Sequence, residues 1–504
     1  MIAHQQESDK ALPLFAAFQS LVASVHDAAV QGTPIHTLEK ALWEQLLALG
    51  HQTLGYFLQL QGSGDLGATV QLPDGQTLHR LEQLHERSYR SVFGDFQLLR
   101  TVYGSREGQK IELVPLDTRL RLPDSNYSYL LQDWDQLLGV EQAFGRVAAT
   151  VFDMLGVKQS VDSLETMNRH MAQDVAAFRD SRPEPVPENE GEVVVVQADG
   201  KAVVMRRTPE QPAIIGHRKK GDKANQKRMA TVGGIYSIDR QTRTAEDIIE
   251  SLFRDPRQPR PKSPPRPEPC QKQLWACLSS REGDEEINGM AAVFGWLTEE
   301  HGRRNPGCQK ETVYLMDGQA SLWKTKRLLL PDENSVEILE LLHVTPRLWE
   351  AAHLFERERS EAATAFVKQQ LRRVLAGEVT AVVRGWRRRA KREGLSAVKQ
   401  KRLGVIGRYL LRNKAKMRYD VYLARGYPIA SGVIEGACRH YVKDRMERAG
   451  MHWTQAGAQA MLDVRSVFVN GDWEEFQQFR IERETKRLYP HRELIEATPW
   501  AMAV

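Results

Sequence analysis

The chain has little cysteine: four residues in 504, at Cys270, Cys277, Cys308 and Cys438. Their spacing is too irregular for a zinc knuckle or a disulfide framework, so neither sulfur-bound metal nor an oxidising compartment is expected. No run approaches the roughly 18 apolar residues of a membrane span. The opening MIAHQQESDKALPLF has no basic stretch leading into an apolar core and a cleavage site. These absences give the expectation of a cytoplasmic protein without a membrane partner. The net charge is small, +5, so the chain as a whole does not announce a polyanion partner, although the distribution of its charges does. At this length about three domains are expected.

Residues 1–90 read as a helical region, with two amphipathic helices over 10–60, the second opened by Thr37 and carrying Leu38, Leu42, Leu46 and Leu49. Residues 91–130 read as a connector in which FQLLRTVYG and QKIELVPL form a β-ribbon around the turn SREG. In residues 131–180 a helical pattern over 133–155 stops at Gly156, and a second helix starts at Ser160 with Leu164, Met167, Met171, Val175 and Phe178 as its apolar stripe. Asp162 with Glu165 offers it a capping box. Two helices about a glycine turn fit a helix-turn-helix whose second helix presents Ser163, Thr166, Asn168 and Arg169 to DNA; an ordinary helical hairpin has the same pattern.

RDSRPEPVPENEGE, residues 179–192, marks a boundary, and beyond it the pattern turns to strands at 192–199, 202–207 and 229–238. Between the last two lies an exposed basic loop, 216–228, whose Arg218, Lys219 and Lys220 can follow a phosphate backbone. A short helix over 244–253, a proline-rich linker over 255–269, a helix near 284–301, a strand ending at Asp317, the helix LWKTKRLLL and a buried strand over 336–344 complete a first core segment, 190–344. Residues 345–425 read as a helical insertion. Between Arg384 and Arg418 only Glu393 is acidic, and the run includes Arg387, Arg388 and Arg389. Charge this one-sided marks a nucleic-acid surface, whereas a plain solvated helix mixes signs. The core resumes over 426–475, and 476–504 is a tail.

Three acids organise this core. Asp199 ends the β-branched run EVVVVQADG, Asp317 ends VYLMDG, and Glu435 lies in a segment of helical periodicity with Arg439 and Lys443 at i+4 and i+8. An Asp-Gly pair after a strand is also how a plain turn looks. The order of elements is that of an RNase H-like α/β mixed-sheet core interrupted by an all-helical insertion, and that topology brings the first and fourth strands side by side and parallel. Three carboxylates suit Mg2+ or Mn2+. Two such ions, roughly 3.5 to 4 Å apart, serve an in-line displacement at phosphorus.

The stretches VVVQADGK, YLMDGQASLW, EILELLHV with LWEAAHLF, and above all GYPIASGVIEGACRHYVKDRMERAGMHWTQAGAQAMLDVRS resemble the bacterial insertion-sequence DDE transposases, most closely the Kra-four family with its Mutator-like relatives. The resemblance implies a metal-dependent DNA nicking and strand-joining enzyme that binds the terminal inverted repeats of its element and a target duplex. It also implies a homodimer or larger assembly at the bacterial nucleoid, with Asp199, Asp317 and Glu435 as catalytic triad and ligands to two metal ions. A family motif with an acid three residues before a histidine is matched by Glu340 and His343; relatives more often have Asp first. His343 would position the scissile strand or a flipped base, although a histidine on an apolar strand is also an ordinary core residue. Trp453 would stack on an unpaired base, against a default of packing. The rival readings are a transposase-derived DNA-binding regulator and a nuclease of the same fold that only hydrolyses.

Overall fold

The computed structural model describes residues 2–106, 111–206, 227–254, 257, 266–282, 285–430, 432–498 and 500. It divides into two compact units, Met1–Phe178 with Asp472–Val504, and Arg179–Gly471. Among the described residues no helix is long and apolar enough to cross a membrane.

In the first unit the two expected helices are Ile2–Gln31 and Ile35–Gln61. The second opens at Pro34, whose fixed φ suits a helix start, and not at Thr37, whose amide already bonds to the Pro34 carbonyl. The ribbon lies earlier than expected: His85–Ser91 pairs with Gly94–Arg100, with Gly94 at a φ of 114° closing the turn. Across the expected turn only a single antiparallel bridge forms among the described residues, Tyr103 with Leu113; Tyr103–Gly104 also joins Thr77–Arg80, and part of SREG falls outside the described residues.

The expected helix over 133–155 is two helices, Tyr129–Gly139 and Phe144–Leu155, and the second ends as anticipated on Gly156 at a φ of 72°. The next helix, Val161–Ala172, is capped by the Ser160 hydroxyl accepting from the Ser163 amide, not by Asp162 and Glu165. Leu164, Met167 and Met171 are buried as its stripe required, while Val175 and Phe178, also buried, lie on a separate short helix, Val175–Ser181. Asn168 is buried too, donating to Gln136 Oε1 at 2.9 Å, and so is removed from any DNA-facing surface. Ser163 bonds to Ser160 and Tyr127, while Arg169 bonds to Thr166 on the outer side. The tail is no separate region: Trp473–Leu488 belongs to this unit, with Phe476 buried against Phe178.

One carboxyl in this unit is poorly housed. Asp135 is fully buried, takes one hydrogen bond from Gln159 at 3.0 Å and has its Oδ2 unpartnered. Burial pushes its pKa up to about 7. A folded-state value above the unfolded one means the ionised form costs stability, fully above pH 7 and less as pH falls towards about 4. Asp135→Asn is therefore expected to stabilise the unit by on the order of 1–2 kcal/mol at pH 8 and by nothing near pH 4. Thermal melts across that range check it, and a gain that grows towards acid would refute the cause.

The second unit is a five-stranded mixed sheet between two helical layers. Its strands are β1 (Val193–Val204), β2 (Lys227–Ile238), β3 (Cys270–Leu278), β4 (Glu311–Met316) and β5 (Ser335–Leu339), in the spatial order β5-β4-β1-β2-β3. β1, β2 and β3 are successively antiparallel, and β4 runs parallel to both β1 and β5. The helices are α1 (Ala245–Phe253), α2 (Gly289–Arg304), α3 (Ala320–Leu329), α4 (Leu341–Phe355), α5 (Glu361–Leu375), α6 (Val379–Arg392), α7 (Ala397–Asn413) and α8 (Tyr419–Ala424). There follow α9, built of Gly432–Gly436, Ala437–Lys443 and Asp444–Met446 in succession, and α10 (Gln455–Asn470).

The continuous apolar runs of β1 and β4 are what a sheet buried on both faces requires. Val193, Val195, Val313 and Leu315 pack against α1 and α4 to α8, whereas Val194, Val196, Tyr314 and Met316 pack against α2 and α3.

Three expectations are corrected here. The strands expected at 192–199 and 202–207 are one: Asp199 and Gly200 stay paired with Val232 and Thr231, so the long ladder to β2 overrides the turn tendency of Asp-Gly. The third strand is β3, beyond the proline-rich stretch, most of which lies outside the described residues. The strand expected over 336–344 stops at Leu339, and α4 begins at Leu341 with Glu340 as its N-cap residue.

Candidate active site

The pairing registers align three acids. Tyr314 of β4 lies opposite Val196 of β1, so three residues further along both parallel strands Asp317 comes level with Asp199. Met316 lies opposite Leu339 of β5, so the next residues are Asp317 and Glu340. Asp199, within β1, and Asp317 and Glu340, just beyond the carboxyl ends of β4 and β5, thus form a row across three neighbouring parallel strands, whose backbones run about 4.8 Å apart. Ligands of open α/β sheets gather at such an edge.

Each member is held locally. Asp199 Oδ1 accepts from the Gly200 amide at 2.7 Å and Oδ2 from the Cys438 thiol at 3.4 Å. Asp317 Oδ1 accepts from the Gln319 amide at 2.8 Å, and its carbonyl accepts from the Trp323 indole at 2.6 Å. Gly318 is required by close approach more than by a turn: a Cβ there would lie 2.4 Å from the Tyr409 ring of α7. Glu340 is fully buried, and its amide donates to the Met316 carbonyl at 2.9 Å. Glu340 Oε2 is 3.1 Å from His343 Nδ1, one turn into α4.

Glu435 comes to the same edge on α9, exposed where the two aspartates are half-buried. One ligand atom from each of Glu340, His343 and Glu435 lies within 4.8 Å of the others. Asp199, Asp317 and Glu435 do not make so tight a group by themselves; Glu435 sits nearest the Glu340–His343 pair. The charges nevertheless act on one another. Asp317 is pushed up by burial and by the Asp199 and Glu340 charges, against the Gln319 amide and His343. Glu435 is pushed up by burial, then by Glu340 and Asp199, again against His343. His343 is raised chiefly by its hydrogen bond to Glu340, opposed by burial and helped by the Asp317 and Asp199 charges. Among the described residues no lysine or arginine forms an ion pair with Asp199, Asp317 or Glu435. Mutually repelling carboxyl groups, of which Asp199, Asp317 and Glu435 have no ion-paired lysine or arginine among the described residues, together with one imidazole, fit a divalent metal.

Several expected DNA contacts stand differently from one another. Arg439 and Lys443 are exposed beyond Glu435, but Ala437–Lys443 is a π turn, so the α-helical i, i+4, i+8 face does not apply. Trp453 is packed: its indole donates to the Met446 carbonyl at 3.0 Å, and the Arg445 guanidinium lies 5.0 Å over the ring. Arg387 and Arg388 are exposed on α6. Arg389 is not free for a phosphate, being bonded to Glu356 and Glu393 and stacked on Phe355 and Phe366. Arg218, Lys219 and Lys220 lie outside the described residues.

Sequence reasoning missed Cys438, Tyr409, Arg347 and Arg412. Burial and the Asp199 charge hold the Cys438 thiol far above the usual range, so it serves as a neutral donor to Asp199. Arg412 donates to the Gly318 carbonyl at 3.3 Å, and the Arg347 guanidinium lies 5.2 Å over the Tyr409 ring. Only Arg412 had a signal, as a member of the basic run.

No protein-family model and no curated protein matches the chain. Among solved structures the chain is similar to the Drosophila P element transposase strand transfer complex, with a TM-score of 0.24 and 10% sequence identity over 74% of this chain and 88% of that one. Likeness this loose bears on neither fold nor function.

Proposed function

We propose that the chain is a DDE transposase of the insertion-sequence type, cleaving DNA at the ends of its element and joining those ends to a target. The observation that carries the reading is the row of Asp199 and Asp317 on adjacent parallel strands, with Glu435 brought to the same edge by a helix that follows the insertion. The strand order and directions agree with an RNase H-like core. The sequence stretches around the three acids, read together, point to the same family.

Asp199, Asp317 and Glu435 would hold Mg2+ or Mn2+. When bound, such ions stabilise the attacking and leaving oxygens of a displacement at phosphorus and lower the pKa of the nucleophile. The chain's own contribution is positional. Asp199 is fixed by the Gly200 amide and Cys438, and Asp317 by the Gln319 amide, so both carboxylates are oriented before DNA arrives. Tyr409 packed on Gly318 closes one wall. Two element ends must be brought together, so the reading includes a homodimer or larger assembly.

The test is strand cleavage and joining on labelled DNA spanning the flanks of the gene, with and without Mg2+. Metal-dependent cuts at short inverted repeats, and joining of a supplied 3′-hydroxyl end to a second duplex, are expected. Cleavage without joining would reduce the protein to a nuclease, and binding without cleavage to a regulator.

The insertion supplies a second check. Arg387 and Arg388, exposed on α6, would neutralise phosphates, while Arg389 is tied into the fold. The Arg387→Ala/Arg388→Ala pair is expected to weaken duplex binding and to lower the slope of log affinity against log salt by roughly 2. Arg389→Ala should instead lower thermal stability with the slope nearly intact. Equal slopes in wild type and the double variant would remove α6 from the DNA surface.

A further inference from the structure

Among the described residues, the tightest set of potential metal ligands is not the acid trio but Glu340, His343 and Glu435. It contains a nitrogen donor, and the surroundings prepare that nitrogen. The Glu340 carboxylate is fully buried. Its backbone is tied to β4 through the Met316 carbonyl, and its own carbonyl accepts the His343 amide at 3.1 Å. Its Oε2 stands 3.1 Å from His343 Nδ1. A carboxylate only accepts, so an ionised Glu340 calls for a hydrogen on Nδ1, and in the neutral ring that leaves the lone pair on Nε2. A buried carboxylate that fixes the tautomer and angle of an imidazole is the arrangement found behind metal-bound histidines. The other half of the set, Glu435, is an exposed carboxylate on the open side of the pocket.

We propose that His343 is a nitrogen ligand of the divalent centre, sharing an ion with Glu435 and oriented by Glu340, and that the chain therefore takes Mn2+ in preference to Mg2+. The inference rests on the reading of the pocket as a metal-dependent phosphoryl-transfer site and specifies its donor set. Mg2+ demands oxygen ligands in a strict octahedron and gives up water reluctantly, so an imidazole in the first layer disfavours it relative to a transition-metal ion. His343 then holds metal, and no stacking on a base is required of it. Glu340 is a positioning residue that acts through the ring.

The experiment is pulsed electron paramagnetic resonance of Mn2+ bound to the full-length protein, with titrations of Mn2+ and of Mg2+ in competition. Wild type is expected to show the nuclear coupling of a directly bound 14N, replaced by the 15N pattern when histidine is isotopically labelled. His343→Gln is expected to lose that coupling and to bind Mn2+ about 10- to 100-fold more weakly. Glu340→Gln should keep the coupling but also weaken binding. Should His343→Gln fail to fold, the labelled wild-type spectrum decides alone. Mn2+ that binds in wild type, is lost in Asp317→Asn and shows no nitrogen coupling overturns the inference while leaving the proposed function standing. Mn2+ binding that is equal in wild type, Asp317→Asn and His343→Gln overturns both.

Discussion

Replacing Asp317 by Asn is expected to remove metal-dependent DNA cleavage, by about 10³-fold or more on the scale of losing a transition-state electrostatic contact, without loosening the fold. The two halves of that result have separate causes. Activity falls because Asp317 stands level with Asp199 on the neighbouring parallel strand, and an amide cannot supply the negative oxygen that a shared ion requires. Stability does not fall because the carboxyl is already disfavoured in its ionised form by burial and by the Asp199 and Glu340 charges. With the folded-state pKa raised, the charge is a cost at neutral pH, and a neutral isostere relieves it. The carbonyl oxygen of asparagine still accepts the Gln319 amide, and the backbone still accepts the Trp323 indole. The melting temperature should therefore hold or rise while cleavage disappears. A variant that cuts as well as wild type would end the assignment of Asp317, and one that merely unfolds would leave the activity loss without mechanistic meaning.

Trp386→Ala is expected to cost the second unit about 3–5 kcal/mol, the usual range for emptying a large aromatic site in a core. The position lies in the most basic stretch of the chain. Its ring is nonetheless 2% exposed, stacks on Phe366 with centroids 6.4 Å apart, and donates through Nε1 to Gln370 Oε1 at 3.1 Å. Trp386 belongs to the same buried cluster as Val193, Val195, Val313 and Leu315 of the sheet. The insertion is thus one of the two layers that cover the sheet. Destabilisation should spread to the strands that carry Asp199 and Asp317, lowering denaturant resistance and metal binding together. Urea unfolding followed by backbone and by tryptophan signals tests this. An insertion that melts separately, with the sheet unaffected, would contradict the shared core.

How much of this was legible in the sequence follows from where the information resides. Asp317 was legible because β4 closes on a short apolar run, Val313–Met316, and the acid follows it. Asp199 was found for a partly wrong reason. Asp-Gly suggested a strand end, yet β1 continues to Val204 because β2 pairs with it along its whole length, and that pairing is not a local property. β3 was invisible since it is an edge strand: Gln271 and Lys272 face solvent, which breaks the apolar pattern. Its backbone is served partly by side chains of α10, Asn470 and Gln459, which accept from the Leu274 and Leu278 amides. Residues 336–344 misled in the opposite way. VEILELLHV is mostly apolar, broken only by Glu337, Glu340 and His343, and periodicity alone cannot divide such a run into strand and helix. The division at Glu340 is what turns Glu340 and His343 towards the acids. The helix-bound residues of the site, Tyr409, Arg347 and Arg412, needed the packing of the insertion, which no spacing in the sequence encodes.

On the proposed reading, distant acids of this chain jointly hold divalent ions at one end of the sheet. The most direct measurement is anomalous scattering from Mn2+ in crystals of the full-length protein soaked at graded concentrations. The account expects its strongest peak within the pocket of Asp199, Asp317 and Glu435, with carboxylate oxygens of these residues as ligands, and expects the peak to vanish in Asp199→Asn. Mn2+ found only at other sites, or a pocket peak undisturbed by that substitution, would contradict it.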